Sequence, residues 1–230
     1  MKSVYIIHGW TYSTDKWNKL TELFKKNGIK PILLKVPGLT EEIDRVWTLN
    51  DYVEWLKVKL DKQKGKVILI GHSNGGRISL AFATQYPEKI EQLILIGSAG
   101  VYHNELSLRL KRSVFKGLSR FGKRITSSKK LKNLLYKLAG VSDYKEATAN
   151  MRQTMLNLIQ ADRNLDFTKV TVPTTIIWGE KDRVTPLTDG QIISIKIKNS
   201  RLYIIDSARH APYFTHPQEV SRIILKTIKS

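Results

Sequence analysis

The chain has 230 residues, of which 41% are hydrophobic and 26% charged, and its formal net charge at pH 7 is +19. This length and composition fit one compact domain, or a core that carries one insertion, with enough chain to bury a large core. The absence of cysteine excludes disulfides and thiolate metal sites. No apolar run approaches the length of a membrane span or a signal-peptide core, so we expect a soluble, cytoplasmic protein.

Short apolar runs alternate along the chain with segments of helical spacing. They predict strands at residues 3–7, 31–36, 66–70, 92–97, 174–179 and 200–205. Helices are predicted at 15–26, at 48–62 with Thr48 or Asn50 as the cap, behind Gly75 and Gly76, and at 218–229. Because apolar strands separated by amphipathic helices form parallel sheets, we expect an α/β protein with a mainly parallel six-stranded sheet and helices on both faces.

The alternation stops between the fourth and fifth predicted strands. Residues 101–166 contain no convincing strand, and their apolar residues recur at helical spacing. We therefore divide the chain into a core of residues 1–100 and 167–230 and a helical cap, or lid, of residues 101–166. We expect the cap to cover the carboxyl edge of the sheet.

The third predicted strand ends in the pattern Gly-x-Ser-x-Gly, formed by Gly71, Ser73 and Gly75. In this elbow the serine sits on a strained turn between strand and helix, with its hydroxyl pushed outward. The glycines leave out the Cβ atoms where strand and helix pass closely. The helix that begins behind the serine directs its unpaired N–H groups toward any negative charge that develops nearby. Ser73 therefore has the setting of a nucleophile.

Acyl transfer by a serine also needs a general base, a carboxylate that orients the base, and donors for the oxyanion. In the elbow architecture the acid and then the histidine follow the serine, each in a loop after a strand. The loop after the fifth predicted strand contains Glu180 and Asp182, and the loop after the sixth contains Asp206 and His210. Both partners are thus present in the required order.

At these positions the chain resembles the α/β-hydrolase family, in its branch of small esterases, lipases and C–C hydrolases. The resemblance covers nearly the whole chain and rests on the His8-Gly9 loop, the elbow, residues 178–186, and the His210 loop that runs into residues 216–220. Family members usually have two further strands before the His-Gly loop, and here Met1 leads straight into that strand. The resemblance therefore implies a sheet trimmed to six strands at one edge, with the catalytic loops unchanged.

The resemblance also implies roles for individual residues. Ser73 is the expected nucleophile, His210 the general base and then acid, and Asp182 the residue that holds the imidazole. The backbone N–H groups of Trp10 and Asn74 are expected to form the oxyanion hole. Trp10 can equally serve as a hydrophobic wall, and the Asn74 side chain is expected only to line the pocket.

Two of these roles have competitors in the sequence. Glu180 and Asp206 are the alternatives to Asp182, and Glu180, closer to its strand end, has the simpler role of capping the turn. The competitors of His210 are His8, His72, His103 and His216. Position favours His210, because we expect His8 to shape the oxyanion loop, His72 to lie beneath the elbow, His103 to lie near the pocket mouth and His216 to mark a helix start.

A serine at the elbow excludes haloalkane dehalogenases and epoxide hydrolases, which need a carboxylate there. We predict a carboxylesterase that acts on a small-molecule acyl substrate through an acyl-enzyme. The alternative is a C–C bond hydrolase whose β-diketone-like substrate carries a carboxylate. Neither a cofactor nor a metal is predicted, since the acidic residues form no ligand cluster and there is no phosphate-cradling loop.

Basic residues dominate the first part of the predicted cap. Residues 101–139 contain eleven lysines and arginines and one acid, Glu105. This skew on amphipathic helices is typical of a surface that meets anionic interfaces, whereas a lysine-rich solvated surface is the simpler explanation. We expect at most weak contact with anionic surfaces. We expect no specific nucleic-acid binding, because the basic residues do not alternate with aromatic residues on which nucleobases could stack. A further hypothesis is a non-catalytic protein of this fold that binds a membrane or polyanion.

Overall fold

The computed structural model describes residues 3–103 and 147–229. Within these residues a six-stranded parallel sheet has the order β2-β1-β3-β4-β5-β6. The strands are β1 (Ser3–Ile7), β2 (Ile32–Leu33), β3 (Val67–His72), β4 (Ile90–Ile96), β5 (Thr174–Gly179) and β6 (Ser200–Ile205). All neighbouring pairs run parallel. The predicted α/β class with a parallel six-stranded sheet is therefore confirmed.

Helices cover both faces of this sheet. They are α1 (Asn18–Lys26), α2 (Leu49–Asp61), α3 (Asn74–Gln85), α4 (Ala149–Ala161), α5 (Leu187–Lys196), α6 (Pro212–Thr215) and α7 (Pro217–Lys229). Short 3-10 turns lie at Asp15–Trp17, Pro87–Lys89, Asp162–Asn164 and Phe167–Lys169. None of the helices described combines the length and the apolar composition needed to cross a bilayer. The sequence pattern misses α5 because two of the three residues that this helix buries, Asp189 and Gly190, are not part of an apolar stripe, and only Ile193 is apolar.

Successive residues of β1 enter two different cores on opposite faces of the sheet. Val4 and Ile6 pack in a cluster with residues of α1 and α7, whereas Tyr5 and Ile7 pack with residues of α2 and α3. β3 and β5 are buried along their whole length. Strands covered on both faces have no solvated side, which explains why their sequences are unbroken runs of apolar residues.

Two element boundaries show how local hydrogen bonds decide where regular structure begins and ends. α2 begins after Thr48 in a capping box, since Thr48 Oγ1 accepts from the Asp51 N–H at 3.2 Å and Asp51 Oδ2 accepts from the Thr48 N–H at 2.7 Å. The strand predicted at 31–36 is wrong at its carboxyl end. There the Val36 N–H donates to Thr40 Oγ1 at 2.8 Å instead of to a neighbouring strand, and the chain turns away after β2.

Residues 104–146 lie outside the described residues, and they include all eleven lysines and arginines of residues 101–139. The lid, its boundaries and its contact with anionic surfaces therefore stay predictions. Of the predicted cap, α4 is described and packs through Met151 and Leu158 into the core shared with α2 and α3.

β1 lies between β2 and β3, so the chain leaves it first toward one edge of the sheet and then toward the other. Such a reversal of strand order opens a crevice at the carboxyl ends of the strands, where ligands bind in open α/β sheets. The His8-Gly9 loop follows β1 and Ser73 follows β3. Both predicted motifs therefore meet at this crevice.

Candidate active site

Ser73 occupies a strained turn between β3 and α3. Its backbone has φ 51° and ψ −118°, a region that costs a side-chain-bearing residue about 1–3 kcal/mol unless its surroundings enforce it. Here they do, because the Ser73 N–H donates to the Ile96 carbonyl at 3.2 Å and the Ser73 carbonyl accepts from the Ala99 N–H at 2.9 Å. The structure thus fixes the serine at the end of its strand.

Two glycines let the surrounding backbone close around the elbow. A Cβ on Gly75 would overlap the carbonyl oxygen of Ile7, so the start of α3 packs directly on β1. A Cβ on Gly9 would lie 2.9 Å from the Ser73 Cβ and 2.8 Å from His72 Nδ1. The loop after β1 therefore lies directly against the serine turn.

Three side chains distant in sequence form one hydrogen-bonded chain at the carboxyl edge of the sheet. Ser73 Oγ lies 2.9 Å from His210 Nε2, and His210 Nδ1 lies 2.8 Å from Asp182 Oδ2. A carboxylate only accepts, so Nδ1 carries the proton and Nε2 is left to accept from the serine hydroxyl. The Asp182 side chain is fully buried and the His210 side chain is 21% exposed, which leaves the imidazole accessible beside a dry carboxylate.

Both oxygens of the buried Asp182 carboxylate are hydrogen bonded. Oδ1 accepts from the backbone N–H groups of Val184, at 2.8 Å, and Thr185, at 3.1 Å. Oδ2 accepts from Thr185 Oγ1 at 2.9 Å in addition to His210. These bonds compensate the carboxylate for lost hydration and fix its orientation toward the imidazole.

Thr185 is a member of this cluster to which the sequence analysis gave no role. Its hydroxyl oxygen also lies 3.2 Å from the Gly97 carbonyl oxygen and 3.2 Å from His210 Nδ1. An aspartate whose side chain accepts from backbone two and three residues later forms a local turn. A hydroxyl residue at the third position after Asp182 is the sequence signal that could have identified it.

The competing acids lie elsewhere. Glu180 is exposed, and its Oε2 accepts from the Ser207 N–H at 2.9 Å, so it ties the two loops together. Asp206 is exposed. The structure brings Asp182, rather than either competitor, beside His210.

His72 lies buried beneath the elbow, as its position in the sequence suggests. Its Nε2 donates to the His210 backbone carbonyl at 3.0 Å. Burial holds the pKa of His72 well below 6.5, and the nearby His210 lowers it further. His72 is therefore a neutral donor that supports the loop carrying His210.

His8 holds the loop after β1. Its Nδ1 donates to the Gly9 carbonyl at 2.8 Å, and its Nε2 accepts from Thr40 Oγ1 at 2.8 Å. Burial lowers the pKa of His8, which favours this neutral form. The Gly9 carbonyl and the Trp10 N–H belong to the same planar, trans peptide and therefore point in opposite directions. By holding the Gly9 carbonyl, His8 also fixes the direction of the Trp10 N–H.

The remaining histidines are engaged away from Ser73. His103 Nε2 lies 2.9 Å from the buried Asp189 Oδ1, and burial raises the pKa of this aspartate. His216 Nδ1 lies 2.8 Å from Thr215 Oγ1, just before α7. Among the five histidines, the contact with the serine hydroxyl is made by His210.

The two expected oxyanion donors have backbone N–H groups that remain available. Within residues 3–103 and 147–229, neither the Trp10 N–H nor the Asn74 N–H donates to a protein acceptor. Asn74 is the first residue of α3, where helical N–H groups have no partner inside the helix. Their joint role as an oxyanion hole stays a prediction.

A buried ion pair contacts the side chain of Asn74, and no sequence motif predicted it. Arg77 donates to Asp162 in a bidentate arrangement, with Nε at 2.7 Å from Oδ1 and Nη2 at 2.9 Å from Oδ2. The third arm, Nη1, donates to Asn74 Oδ1 at 2.6 Å. An arginine in an otherwise apolar and glycine-rich helix start is the signal for a buried acidic partner, although it does not say which one.

Comparisons with known proteins agree with this architecture. A sequence profile described as alpha/beta hydrolase fold matches residues 2–217. Over 252 residues the chain is 29% identical to the pimeloyl-[acyl-carrier protein] methyl ester esterase of Wigglesworthia glossinidia brevipalpis, covering 99% of this chain and 93% of that protein.

Another relative is the 2-hydroxy-6-oxononadienedioate/2-hydroxy-6-oxononatrienedioate hydrolase 1 of Pseudomonas putida. It is 25% identical over 259 residues, which cover 97% of this chain and 87% of the relative. Among solved structures, a putative lipase from Acinetobacter baumannii AYE superposes with a TM-score of 0.75 at 22% identity, covering 99% of this chain and 83% of its own. At that identity the superposition speaks for the fold alone.

Proposed function

Since the chain belongs to the alpha/beta hydrolase fold family, we propose that it is a carboxylic ester hydrolase whose catalytic residues are Ser73, His210 and Asp182. The observation that carries the proposal is the unbroken series of hydrogen bonds from the serine hydroxyl through the imidazole to the carboxylate, 2.9 Å and then 2.8 Å long. A nucleophile, a base and an orienting acid in this arrangement support acyl transfer.

In the first half of the reaction, Ser73 Oγ attacks the acyl carbon of the ester while His210 Nε2 takes the hydroxyl proton. The buried Asp182 carboxylate stabilises the imidazolium that forms. The carbonyl oxygen becomes an oxyanion, and the Trp10 and Asn74 N–H groups are proposed to donate to it. The intermediate collapses to an acyl-serine as the alcohol departs with the proton from His210.

In the second half, water replaces the alcohol. His210 Nε2 takes a proton from the water as its oxygen attacks the acyl carbon, and a second oxyanion forms at the same donors. Collapse of this intermediate breaks the bond to Ser73 Oγ, which takes the proton back from His210. The products are a carboxylic acid and the free enzyme, and the chemistry is carried by side chains of the protein itself.

The relatives support an ester as substrate. The relative from Wigglesworthia is named for a methyl ester that it cleaves, and the match extends over nearly the full length of both chains. The proposed substrate is therefore a small carboxylic ester, with the acyl group bound next to Ser73.

Turnover of p-nitrophenyl butyrate by the purified protein and its Ser73→Ala variant tests the proposal. We expect hydrolysis by the wild type that persists in high salt and is reduced by about a millionfold in the variant. Absence of turnover in the wild type, or turnover that survives the substitution, would overturn the proposal. Binding to anionic vesicles that survives Ser73→Ala and falls steeply with salt would instead favour the non-catalytic hypothesis.

A second candidate is hydrolytic C–C cleavage, which the 25% identity to the Pseudomonas putida hydrolase favours. Ser73 would then attack a keto carbon, and a carbanion would leave in place of an alkoxide. Comparing kcat/KM for a carboxylated β-diketone with that for p-nitrophenyl butyrate distinguishes the two. Faster turnover of the diketone would identify C–C cleavage as the main activity.

A further inference from the structure

The side chain of Asn74 has one amide atom engaged and the other unused. Oδ1 accepts from Arg77 Nη1 at 2.6 Å. The amide nitrogen, Nδ2, is buried and has no acceptor among the described residues. Asn74 is 5% exposed and directly follows Ser73 in the chain.

Arg77 fixes which way this amide faces. A guanidinium only donates, so the amide oxygen must point toward it, and a flipped amide would place two sets of N–H donors against each other. The conformation of the Arg77 side chain is itself fixed, because the residue is only 8% exposed and its guanidinium pairs with the two oxygens of Asp162, at 2.7 and 2.9 Å. The orientation of Nδ2 is therefore set before any ligand binds.

An amide donor that is buried without an acceptor loses its hydrogen bonds to water, and no hydrogen bond within the protein compensates for that loss. Buried polar groups in proteins are nearly always paired, and an unpaired one calls for an explanation. Here the donor belongs to the residue beside the proposed nucleophile, at the start of α3, where the carboxyl ends of β1 and β3 form the crevice. A bound substrate is the partner best placed to supply the missing acceptor.

We infer that Asn74 Nδ2 donates to an oxygen of the substrate's acyl chain close to the scissile carbonyl, so that the protein prefers acyl groups with an ether, keto or hydroxyl oxygen there. The acceptor is uncharged, because the charge of Arg77 is already balanced by Asp162 and Asn74 presents a neutral amide. This inference rests on the proposed function, and it adds a specificity-determining role to a side chain that the sequence suggested only lines the pocket.

The test uses two esters of equal length, p-nitrophenyl methoxyacetate and p-nitrophenyl butyrate, in which an oxygen replaces one CH₂ group. Each kcat/KM is divided by the rate of alkaline hydrolysis of the same ester, which removes the difference in intrinsic reactivity. The quotient of the two corrected values is the oxygen preference. We expect it to favour methoxyacetate in the wild type.

Two variants remove the donor in opposite ways. Asn74→Leu deletes both amide atoms, whereas Asn74→Asp keeps an oxygen for Arg77 and replaces the N–H₂ group by a second acceptor. We expect the oxygen preference to fall about threefold to tenfold in both variants, the effect of one neutral hydrogen bond. Asn74→Asp also places negative charge near the oxyanion, but this slows both esters and cancels in the quotient.

The outcomes separate this inference from the proposed function. An oxygen preference unchanged in both variants, with both esters slowed equally, would overturn the specificity role while leaving the esterase proposal intact. A wild type that hydrolyses neither ester would overturn both. Should Asn74→Leu fail to fold, as judged by circular dichroism, Asn74→Asp decides the question, because it retains the contact with Arg77.

Discussion

The imidazole of His72 donates a hydrogen bond to the backbone carbonyl of His210 across 3.0 Å. The residue that precedes the proposed nucleophile thus holds the main chain of the proposed base. Trp17 and Tyr213 stack with their ring centroids 3.9 Å apart, and each makes a T-shaped contact with the His72 ring. This packing keeps the imidazole dry and neutral.

The pH dependence of stability should reflect this buried imidazole. Burial lowers the pKa of His72 well below 6.5, so between the two values the unfolded chain binds a proton that the folded chain does not. The free energy of unfolding should therefore rise with pH from about pH 5 to pH 7, by at most about 1.4 kcal/mol per pH unit from this group. His72→Gln, which can still donate to the His210 carbonyl, should reduce that slope.

Urea denaturation of the wild type and of His72→Gln at several pH values measures the difference. His8, whose pKa is also lowered by burial, should leave a residual slope of the same sign in the variant. Asp189 acts oppositely in a lower range, because its raised pKa stabilises the folded state only while the carboxyl is protonated. Identical slopes in the two proteins would show that His72 does not titrate as proposed.

Asp182 and Glu180 offer a matched pair for the orienting acid. Asp182→Asn should lower kcat for p-nitrophenyl butyrate by roughly four orders of magnitude, because the amide no longer holds the required tautomer of His210. Glu180→Gln should cost less than about tenfold, since Glu180 bonds only to the Ser207 backbone among the described residues. A loss under tenfold for Asp182→Asn would move the role to another acid.

Thr185 is expected to act as a positioning residue for the pair of Asp182 and His210. Thr185→Val keeps the shape but removes the hydroxyl that donates to Asp182 Oδ2 at 2.9 Å. The Asp182 carboxylate then loses one of the hydrogen bonds that fix it beside the imidazole, so kcat/KM for p-nitrophenyl butyrate should fall by about tenfold at pH 7.

Thr185→Ser is the control for this effect. It restores the hydroxyl and loses one methyl group, so kcat/KM should return toward the wild-type value. If the serine variant behaves like the valine variant, the methyl packing of Thr185 matters and its hydroxyl does not.

The buried pair of Arg77 and Asp162 should matter far more to stability than a surface pair. Arg77→Met leaves the Asp162 carboxylate buried without its bidentate partner and should lower the free energy of unfolding by about 3–5 kcal/mol. Lys57→Met, at the exposed pair with Asp61, should cost only a small fraction of that amount, because solvent screens the pair. Urea denaturation at pH 7 compares the two, and equal losses would contradict a structural role for the buried pair.

The elements that the sequence identifies best are those with a simple physical signature. The bounds predicted for residues 174–179 are those of β5, because a strand buried on both faces has no polar side to blur its limits. β2 was predicted too long because Val36 has strand-forming character, yet its N–H bonds to Thr40. Such a contact between a backbone group and a side-chain hydroxyl leaves no mark on hydrophobic periodicity.

The same contrast holds in the site. Ser73, Asp182 and His210 could be predicted to lie together because each follows a strand of one parallel sheet, and such strands bring their carboxyl ends to a common edge. Arg77 and Asp162 could not be paired, because 85 residues separate them and Asp162 belongs to no motif. The orientation of the Asn74 amide depends on that pair, so the sequence could not predict it either.

The two edge strands of the described sheet, β2 and β6, differ in how much unpaired backbone they expose to another molecule. β2 contributes two paired residues at one end, whereas β6 contributes six at the other. Open strand edges are templates for aggregation, and charged side chains on them oppose it. Arg201 is exposed on β6 and Lys198 is exposed just before it, so two copies meeting edge to edge would bring like charges together. We therefore expect concentrated solutions to stay clear at low ionic strength and to become more prone to turbidity as salt screens this repulsion.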